Sequence, residues 1–233
     1  MTSIHGWRVR TLLPRVLPES LTVHDEGPGS PRQAASIDVV LFDVGGVLVD
    51  LPGLPGITAT DARQQADLWQ AWIHSPHVQQ FETGKCTAID FAQRMVAQWE
   101  LPLTPPEYLE AFRSWPQGVF PEVAGILTDL RPELTTGCLS NSNEIHWPLM
   151  WEEMRLSELL DKEFVSFRLG VAKPDPEVFA RVTRELQVPP HAVFFADDNP
   201  VNVAAAQAAG WAAARTVGPG ELRAALTAAG LLR

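Results

Sequence analysis

Four short clusters in this chain carry residue types suited to handling an anionic group. Asp43 directly follows an apolar run, in Phe42-Asp43-Val44-Gly45-Gly46-Val47-Leu48. The glycines let backbone come close to a ligand and leave the carboxylate exposed as a candidate nucleophile. Taken alone, an Asp at such a point serves equally as a turn former or helix cap. Ser140-Asn141-Ser142-Asn143 supplies hydroxyl and amide donors, a composition that suits an anion at a helix start and equally suits a capped loop. Lys173, in Gly170-Val171-Ala172-Lys173-Pro174-Asp175-Pro176, offers a positive charge just before a proline-opened helix, although most lysines are solvated surface groups. Asp197 and Asp198, in Phe195-Ala196-Asp197-Asp198-Asn199, are adjacent like charges. That arrangement is unfavourable without a cation, which makes the pair the strongest metal signal in the sequence.

These clusters need elements to bring them together. Ile37–Phe42 is a short β-branched and apolar run that reads as a buried strand, and Gly137–Leu139 and Ala192–Ala196 read likewise. Each ends in a polar cluster. Helical stretches lie between them, notably Pro121–Leu130, Pro176–Leu186 and Pro200–Ala209, several opened by proline in the first turn. Alternating strands and helices predict an α/β fold, a parallel sheet with helices on both faces. Ligands of such sheets bind outside the carboxyl ends of the strands, so the polar clusters are candidates for one site. Residues 52–118 break the alternation, with helical patterns over Asp61–Ile73, Thr87–Trp99 and Pro106–Trp115 and no convincing strand. They predict an α-helical insert above the first strand's loop, its tryptophans forming a small core of its own. Residues 1–36 hold Pro14, Pro18, Pro28, Pro31 and a Gly-Pro-Gly-Ser stretch, and read as a flexible N-terminal extension.

Together and in this order, FDVGGVL, LSNSNEIHW, LGVAKPDPEVF and FFADDNPVN resemble the motifs of the haloacid dehalogenase superfamily of aspartate-nucleophile hydrolases. Within it, the chain is similar to the small sugar-phosphate phosphatases of the α-glucose-1-phosphate phosphatase type. The resemblance runs from about Ile37 to the C-terminus. It implies a Rossmann-like catalytic core over residues 37–51 and 119–233, with residues 52–118 in the position of the helical cap. It also implies hydrolysis of small phosphomonoesters, sugar phosphates among them, through an aspartyl-phosphate on Asp43. Ser140 and Asn141 would then bind the phosphoryl group, and Lys173 would bind it too and neutralise its charge. A Mg²⁺ ion would be held by Asp43, the Gly45 carbonyl, Asp197 and Asp198, with Asp198 the direct ligand of the pair and Asn202 orienting both. Few carboxylates with water completing the shell suit Mg²⁺ better than Ca²⁺ or Zn²⁺.

One departure matters. Most phosphatases of the superfamily carry a second Asp two residues after the nucleophile as general acid and base, where this chain has Gly45. Such assistance is worth about 10²–10⁴ in rate, so its absence predicts slow turnover or leaving groups that need little protonation. The same glycine occurs in the resembling subgroup, and it counts against a phosphomutase. Two rivals stand beside the phosphatase: a 2-haloacid dehalogenase, which needs neither the missing acid nor a metal, and a non-catalytic phosphate-binding module. Against the dehalogenase, Asp197 and Asp198 would face an anionic substrate with no cation between them. In the insert, Glu82 and Lys85 in Phe81-Glu82-Thr83-Gly84-Lys85 lie in a glycine-containing loop between two predicted helices, where they are candidates to face the pocket and set the substrate, although a solvated turn is the stronger reading; His146 reads as a structural residue at a helix start.

Composition narrows the partners. The chain has 233 residues, 45% of them hydrophobic, and a formal net charge of -10, enough apolar residues for a full core and a surface that repels polyanions. Nucleic acid and anionic membrane are therefore not expected as partners; the resemblance implies a small phosphorylated metabolite instead, bound by a monomer or homodimer. No apolar run approaches the roughly 20 residues of a membrane span. Two widely separated cysteines, Cys86 and Cys138, suit a reducing, cytoplasmic compartment and the role of small apolar residues.

Overall fold

The computed structural model describes residues 36–54 and 62–233, so the extension expected over residues 1–36 lies, up to residue 35, outside the described residues. In chain order, the elements begin with β1 (Val39–Phe42) and β2 (Val49–Asp50), followed by helices α1 (Ala62–Ile73), α2 (Pro76–Glu82), α3 (Ala88–Gln98) and α4 (Pro105–Arg113). Strand β3 (Gly118–Val119), helix α5 (Val123–Thr128), strand β4 (Thr135–Ser140) and the single turn α6 (His146–Pro148) come next. The chain closes with β5 (Lys162–Val165), α7 (Ser166–Leu169), α8 (Pro176–Leu186), β6 (Val193–Asp197), α9 (Pro200–Ala208), β7 (Ala212–Arg215) and α10 (Gly218–Ala228).

Five strands form one parallel sheet in the order β5-β4-β1-β6-β7. Successive side chains of β1 point to opposite faces. Val40 and Phe42 enter one apolar cluster with Val123 and Ile126 of α5 and Leu222 and Leu226 of α10. Val39 and Leu41 enter another with Val178, Phe179 and Val182 of α8 and Ala206 of α9. Both faces are thus covered, and every residue of β1 and β6 is buried, the pattern of a central parallel strand. The predicted α/β fold with helices on both faces is what forms. No helix among the described residues is long and apolar enough to cross a membrane.

The register levels the strand ends. Phe42 lies opposite Cys138 on one side and Ala196 on the other, and the Asp43 N–H continues the ladder by donating to the Ala196 carbonyl at 2.7 Å. Asp43, Ser140 and Asp197 therefore emerge along one edge. The helices that follow start on clear signals: Asp175 caps α8 by accepting from the Glu177 N–H, Asn199 caps α9 by accepting from the Val201 N–H, and a proline opens each first turn.

Between β2 and β3, which pair with each other antiparallel, the chain runs through α1–α4. Trp72, Phe81, Phe91, Tyr108, Phe112 and Trp115 are buried together there, with Phe81 stacked on Phe91 at 4.4 Å between ring centroids and Trp72 edge-on to Phe91. The aromatic residues of the insert are its core, as expected. Two details differ from the sequence reading. Residues 76–82, which lie between the helices predicted over 61–73 and 87–99 and whose last two fall in the predicted turn, form helix α2, and residues flanking the insert pair as strands β2 and β3 where no strand was expected.

Candidate active site

At the carboxyl edge of the sheet, one buried ammonium meets two carboxylates. Lys173 Nζ lies 3.0 Å from Asp43 Oδ1 and 2.7 Å from Asp197 Oδ2, and it donates to the Leu139 carbonyl at 2.8 Å. Its side chain is 1% exposed and that of Asp197 is 0%, whereas Asp43 keeps 14%, facing the open side. Burial by itself would lower the Lys173 pKa, but the Asp197 and Asp43 carboxylates outweigh it and hold the ammonium above the ordinary lysine range. Burial pushes the Asp43 carboxyl up to about 8 against the pull of Lys173, with Asp197 and Asp198 adding to the rise. Asp198 is raised too, by burial and by Asp197.

Asp197 is fully engaged. Its Oδ1 accepts from the Asn199 N–H at 2.8 Å and from Asn202 Nδ2 at 3.1 Å, and its Oδ2 accepts from Lys173 and from Asn202 at 3.1 Å. Asn202 thus orients Asp197. Asn141 holds the lysine in a comparable way. Its amide donates to the Lys173 carbonyl at 2.9 Å and its oxygen accepts from the Lys173 N–H at 2.9 Å. This side chain closes on the loop that carries the lysine, 32 residues away in sequence, and is not left open toward a ligand. Ser140 is 2% exposed, and its hydroxyl makes only a long 3.5 Å contact with the Asn141 carbonyl.

Whether these residues fit a cation is a question of geometry and charge. Asp43, Asp197 and Asp198 present carboxylate oxygens that all lie within 4.8 Å of one another. The Gly45 carbonyl accepts no hydrogen bond from the described residues. Gly46 has φ +72, and a Cβ on it would stand 2.7 Å from Asp198 Oδ2, so the loop closes against Asp198 only because that side chain is missing. An excess of carboxylate oxygens, a free carbonyl and a close-fitting glycine suit a hard divalent ion with few protein ligands. Gly46→Ala is expected to cost about 1–2 kcal/mol from the left-handed backbone, and to shift the Asp198 carboxylate out of its place. Urea unfolding of the two proteins measures it.

His146 sits away from this edge, buried between the loop after β4 and the helical insert. One ring nitrogen lies 2.6 Å from the Phe112 carbonyl and the other 3.3 Å from Asn143 Nδ2, with the ring on Phe112 at 4.0 Å. The structural reading of this residue holds. Burial pushes its pKa down to about 4 despite the Phe112 hydrogen bond, with Arg113 adding to the fall. The unfolded chain, with an ordinary His near 6.5, binds the proton more readily. Stability from this group is therefore whole above about pH 6.5 and drains away as pH falls toward 4, by roughly 3 kcal/mol. Between pH 7 and 4, the parent should lose about that much more unfolding free energy than His146→Gln, read by urea titration at each pH.

Lys85 is exposed, as its solvated reading requires, but Glu82 is not a solvated turn residue. It ends α2 half-buried, and burial pushes its carboxyl up to about 7 while Lys173 pulls it down. Leu51 is a residue that the sequence reading does not single out: its Cδ1 would stand 2.4 Å from a Cβ at position 45.

Comparison with known proteins gives the family and the fold. The sequence model of the haloacid dehalogenase-like hydrolases matches residues 37–210. A D-ribitol-5-phosphate phosphatase of Bacteroides thetaiotaomicron is 27% identical over 179 residues, covering 70% of this chain and 84% of the relative. Among solved structures, a HAD family enzyme of the same organism, crystallised with magnesium and inorganic phosphate, superposes with a TM-score of 0.60 at 23% identity, covering 77% of this chain and 94% of that one. An L-2-haloacid dehalogenase of Xanthobacter autotrophicus superposes with a TM-score of 0.59 at 20% identity, covering 84% and 85%. At these identities, the two structures speak for the fold.

Proposed function

Because the chain belongs to the haloacid dehalogenase-like hydrolases, we propose that it is a Mg²⁺-dependent phosphatase of small phosphomonoesters, a sugar or polyol phosphate among them, working through an aspartyl-phosphate on Asp43. The observation that carries this is the cluster of Asp43, Asp197 and Asp198 about one lysine. Three carboxyl groups and a single ammonium repel an anionic substrate unless a cation joins them. Metal-free attack on a haloacid would meet that repulsion in full, which favours the phosphatase over the dehalogenase. The Bacteroides relative is named for a phosphate monoester of the same class. In this reading residues 37–51 and 119–233 are the catalytic core, and residues 52–118 are the cap that closes over it.

Mg²⁺ would be held by Asp43, the Gly45 carbonyl and Asp198, with Asp197 in the same group but its oxygens already shared among Lys173, Asn199 and Asn202. When bound, it supplies charge that neutralises phosphate oxygens. The chain's own residues do the rest. Asp43, held by Lys173 with its open side outward, attacks phosphorus in line. Ser140, with its hydroxyl nearly unengaged, donates to a phosphoryl oxygen, and Lys173 offsets the charge shared by Asp43 and the phosphoryl group. Asn141 keeps Lys173 in place. Such positioning and charge compensation is most of what phosphoryl transfer requires of a protein.

The test is phosphate release by the purified protein from polyol phosphates, sugar phosphates and p-nitrophenyl phosphate, with Mg²⁺ and with chelator. Release that depends on Mg²⁺ is expected. Chloride release from 2-chloropropionate in chelator would replace this reading with the dehalogenase, and binding of phosphate without turnover would replace it with a phosphate-binding module.

A further inference from the structure

Resting on the phosphatase reading, a further question is which group protonates the departing alkoxide. Position 45 has no side chain, and the space it would use is taken: the Leu51 methyl lies 2.4 Å from where a Cβ would be. The other ionisable groups along the edge are committed. Lys173 directs its protons to Asp43, Asp197 and the Leu139 carbonyl, and its raised pKa makes it a poor acid. Asp197 accepts four hydrogen bonds from three donor groups on its two oxygens. Asp43 is the nucleophile, and Asp198 belongs to the cation group. Both nitrogens of His146 are occupied at the junction with the insert.

Among the described residues, Glu82 is the acid that remains. It is the last residue of α2, and two contacts hold that end of the helix over the carboxyl edge of the sheet. Gly84 packs so closely on α7 that a Cβ would stand 2.7 Å from the Phe167 carbonyl. The Glu144 carboxylate, four residues beyond Ser140, accepts from the Ala88 N–H at 3.2 Å. Helix α7 runs directly into the loop that carries Lys173, and Glu144 lies in the loop that follows Ser140, so the end of α2 that bears Glu82 packs on the segments just beyond the carboxyl ends of β4 and β5. Its carboxyl makes no hydrogen bond with a described residue, and Lys173 is the charge that acts on it.

We propose that Glu82 is the general acid and base of this site. In the first half-reaction the Asp43 oxygen forms its bond to phosphorus, the phosphorus–oxygen bond to the substrate breaks, and the Glu82 carboxyl gives its proton to the leaving oxygen. In the second, the Glu82 carboxylate takes a proton from the water that attacks phosphorus, and the bond to Asp43 breaks to release phosphate and the free carboxylate. Burial with little compensation leaves Glu82 titrating at about 7, where one group serves as acid and then base. The described charges on neighbouring elements do not oppose this: Asp67 of α1 and Arg94 of α3 are exposed and Asp90 is half-buried. Arg168 of α7 is paired with Glu163 at 2.7 Å, and Lys85 on the same turn is exposed.

The experiment compares Glu82→Gln with the parent on p-nitrophenyl phosphate, whose phenolate leaves with little help, and on a polyol phosphate, whose alkoxide needs a proton. The ratio of kcat/KM for the polyol phosphate to that for p-nitrophenyl phosphate should fall by on the order of 10²-fold. The limb of the polyol-phosphate pH profile near pH 7 should disappear. An unchanged ratio, whether both rates fall together or neither does, overturns the proposal. If Glu82→Gln does not fold, Glu82→Asp carries the same ratio test, because a shorter acid penalises the alkoxide far more than the phenolate. A parent that hydrolyses neither ester overturns the phosphatase reading itself, and the two failures are thereby distinct.

Discussion

Asp43→Asn should lower phosphate release by on the order of 10⁴-fold or more, with no loss of stability. The amide has the shape of the carboxylate and retains an oxygen for Lys173 Nζ, 3.0 Å away in the parent, so the strand end need not move. It has no charge and cannot form the acyl phosphate. Loss of a nucleophile removes the covalent route entirely and leaves only binding and charge compensation, which by themselves account for a small share of the acceleration. Stability should stay level or rise in the absence of Mg²⁺. The Asp43 carboxyl is pushed up chiefly by burial, helped by Asp197 and Asp198, so its ionised form disfavours folding, and a neutral isostere removes that term as pH rises. Steady-state phosphate assays and urea unfolding on the same preparation separate the two effects. A parallel fall in rate and stability would mean that Asp43 is a structural residue.

Lys173→Met should be the most damaging single change to the fold. The lysine side chain is 1% exposed and its partner Asp197 is 0% exposed, and removing one member of such a pair leaves an uncompensated buried charge, worth about 3–5 kcal/mol. For a protein of this size that is a Tm lower by roughly 6–20 °C. The loss should depend on pH in a definite sense. Without the ammonium, the carboxyl groups it served have folded pKa values above their unfolded ones. Their penalty is then absent below the unfolded carboxylate range and grows as pH rises through the folded values. The gap between Lys173→Met and the parent, measured by urea titration in chelator, should therefore narrow from pH 8 to pH 5. Activity falls as well, by about 10²–10³, the usual effect of losing one donor to a developing charge.

Much of this site is legible because its residues announce themselves locally. Asp43, Ser140 and the Asp197–Asp198 pair each end an apolar run, and a parallel sheet in register brings such ends level. Helix α8 is bounded correctly from sequence because both ends are signalled, by Asp175 and Pro176 at the start and by the end of the apolar period. Helix α2 gives little to read: it has seven residues, no side-chain cap and a short period. Strand β7 reads Ala-Ala-Ala-Arg, a helix-forming composition that pairing with β6 overrides. Strand β5 opens with Lys162 and Glu163 at the sheet edge, where polar residues do not alternate cleanly. Within the site, what stays hidden is what is distant in sequence. Asn141 looks like a ligand donor until its amide is found closed on the Lys173 backbone. Glu82, read first as a solvated turn residue, is half-buried at the end of α2 in the folded insert.

The claim that turnover passes through Asp43 has a direct measurement. The Mg²⁺-loaded protein is mixed with a ³²P-labelled polyol phosphate, quenched in acid within milliseconds and digested. The predicted result is label on the peptide that bears Asp43, stable in acid, lost to neutral hydroxylamine as an acyl phosphate must be, and absent from Asp43→Asn. Label on any other residue, or phosphate release by Asp43→Asn at the parent's rate, would contradict it.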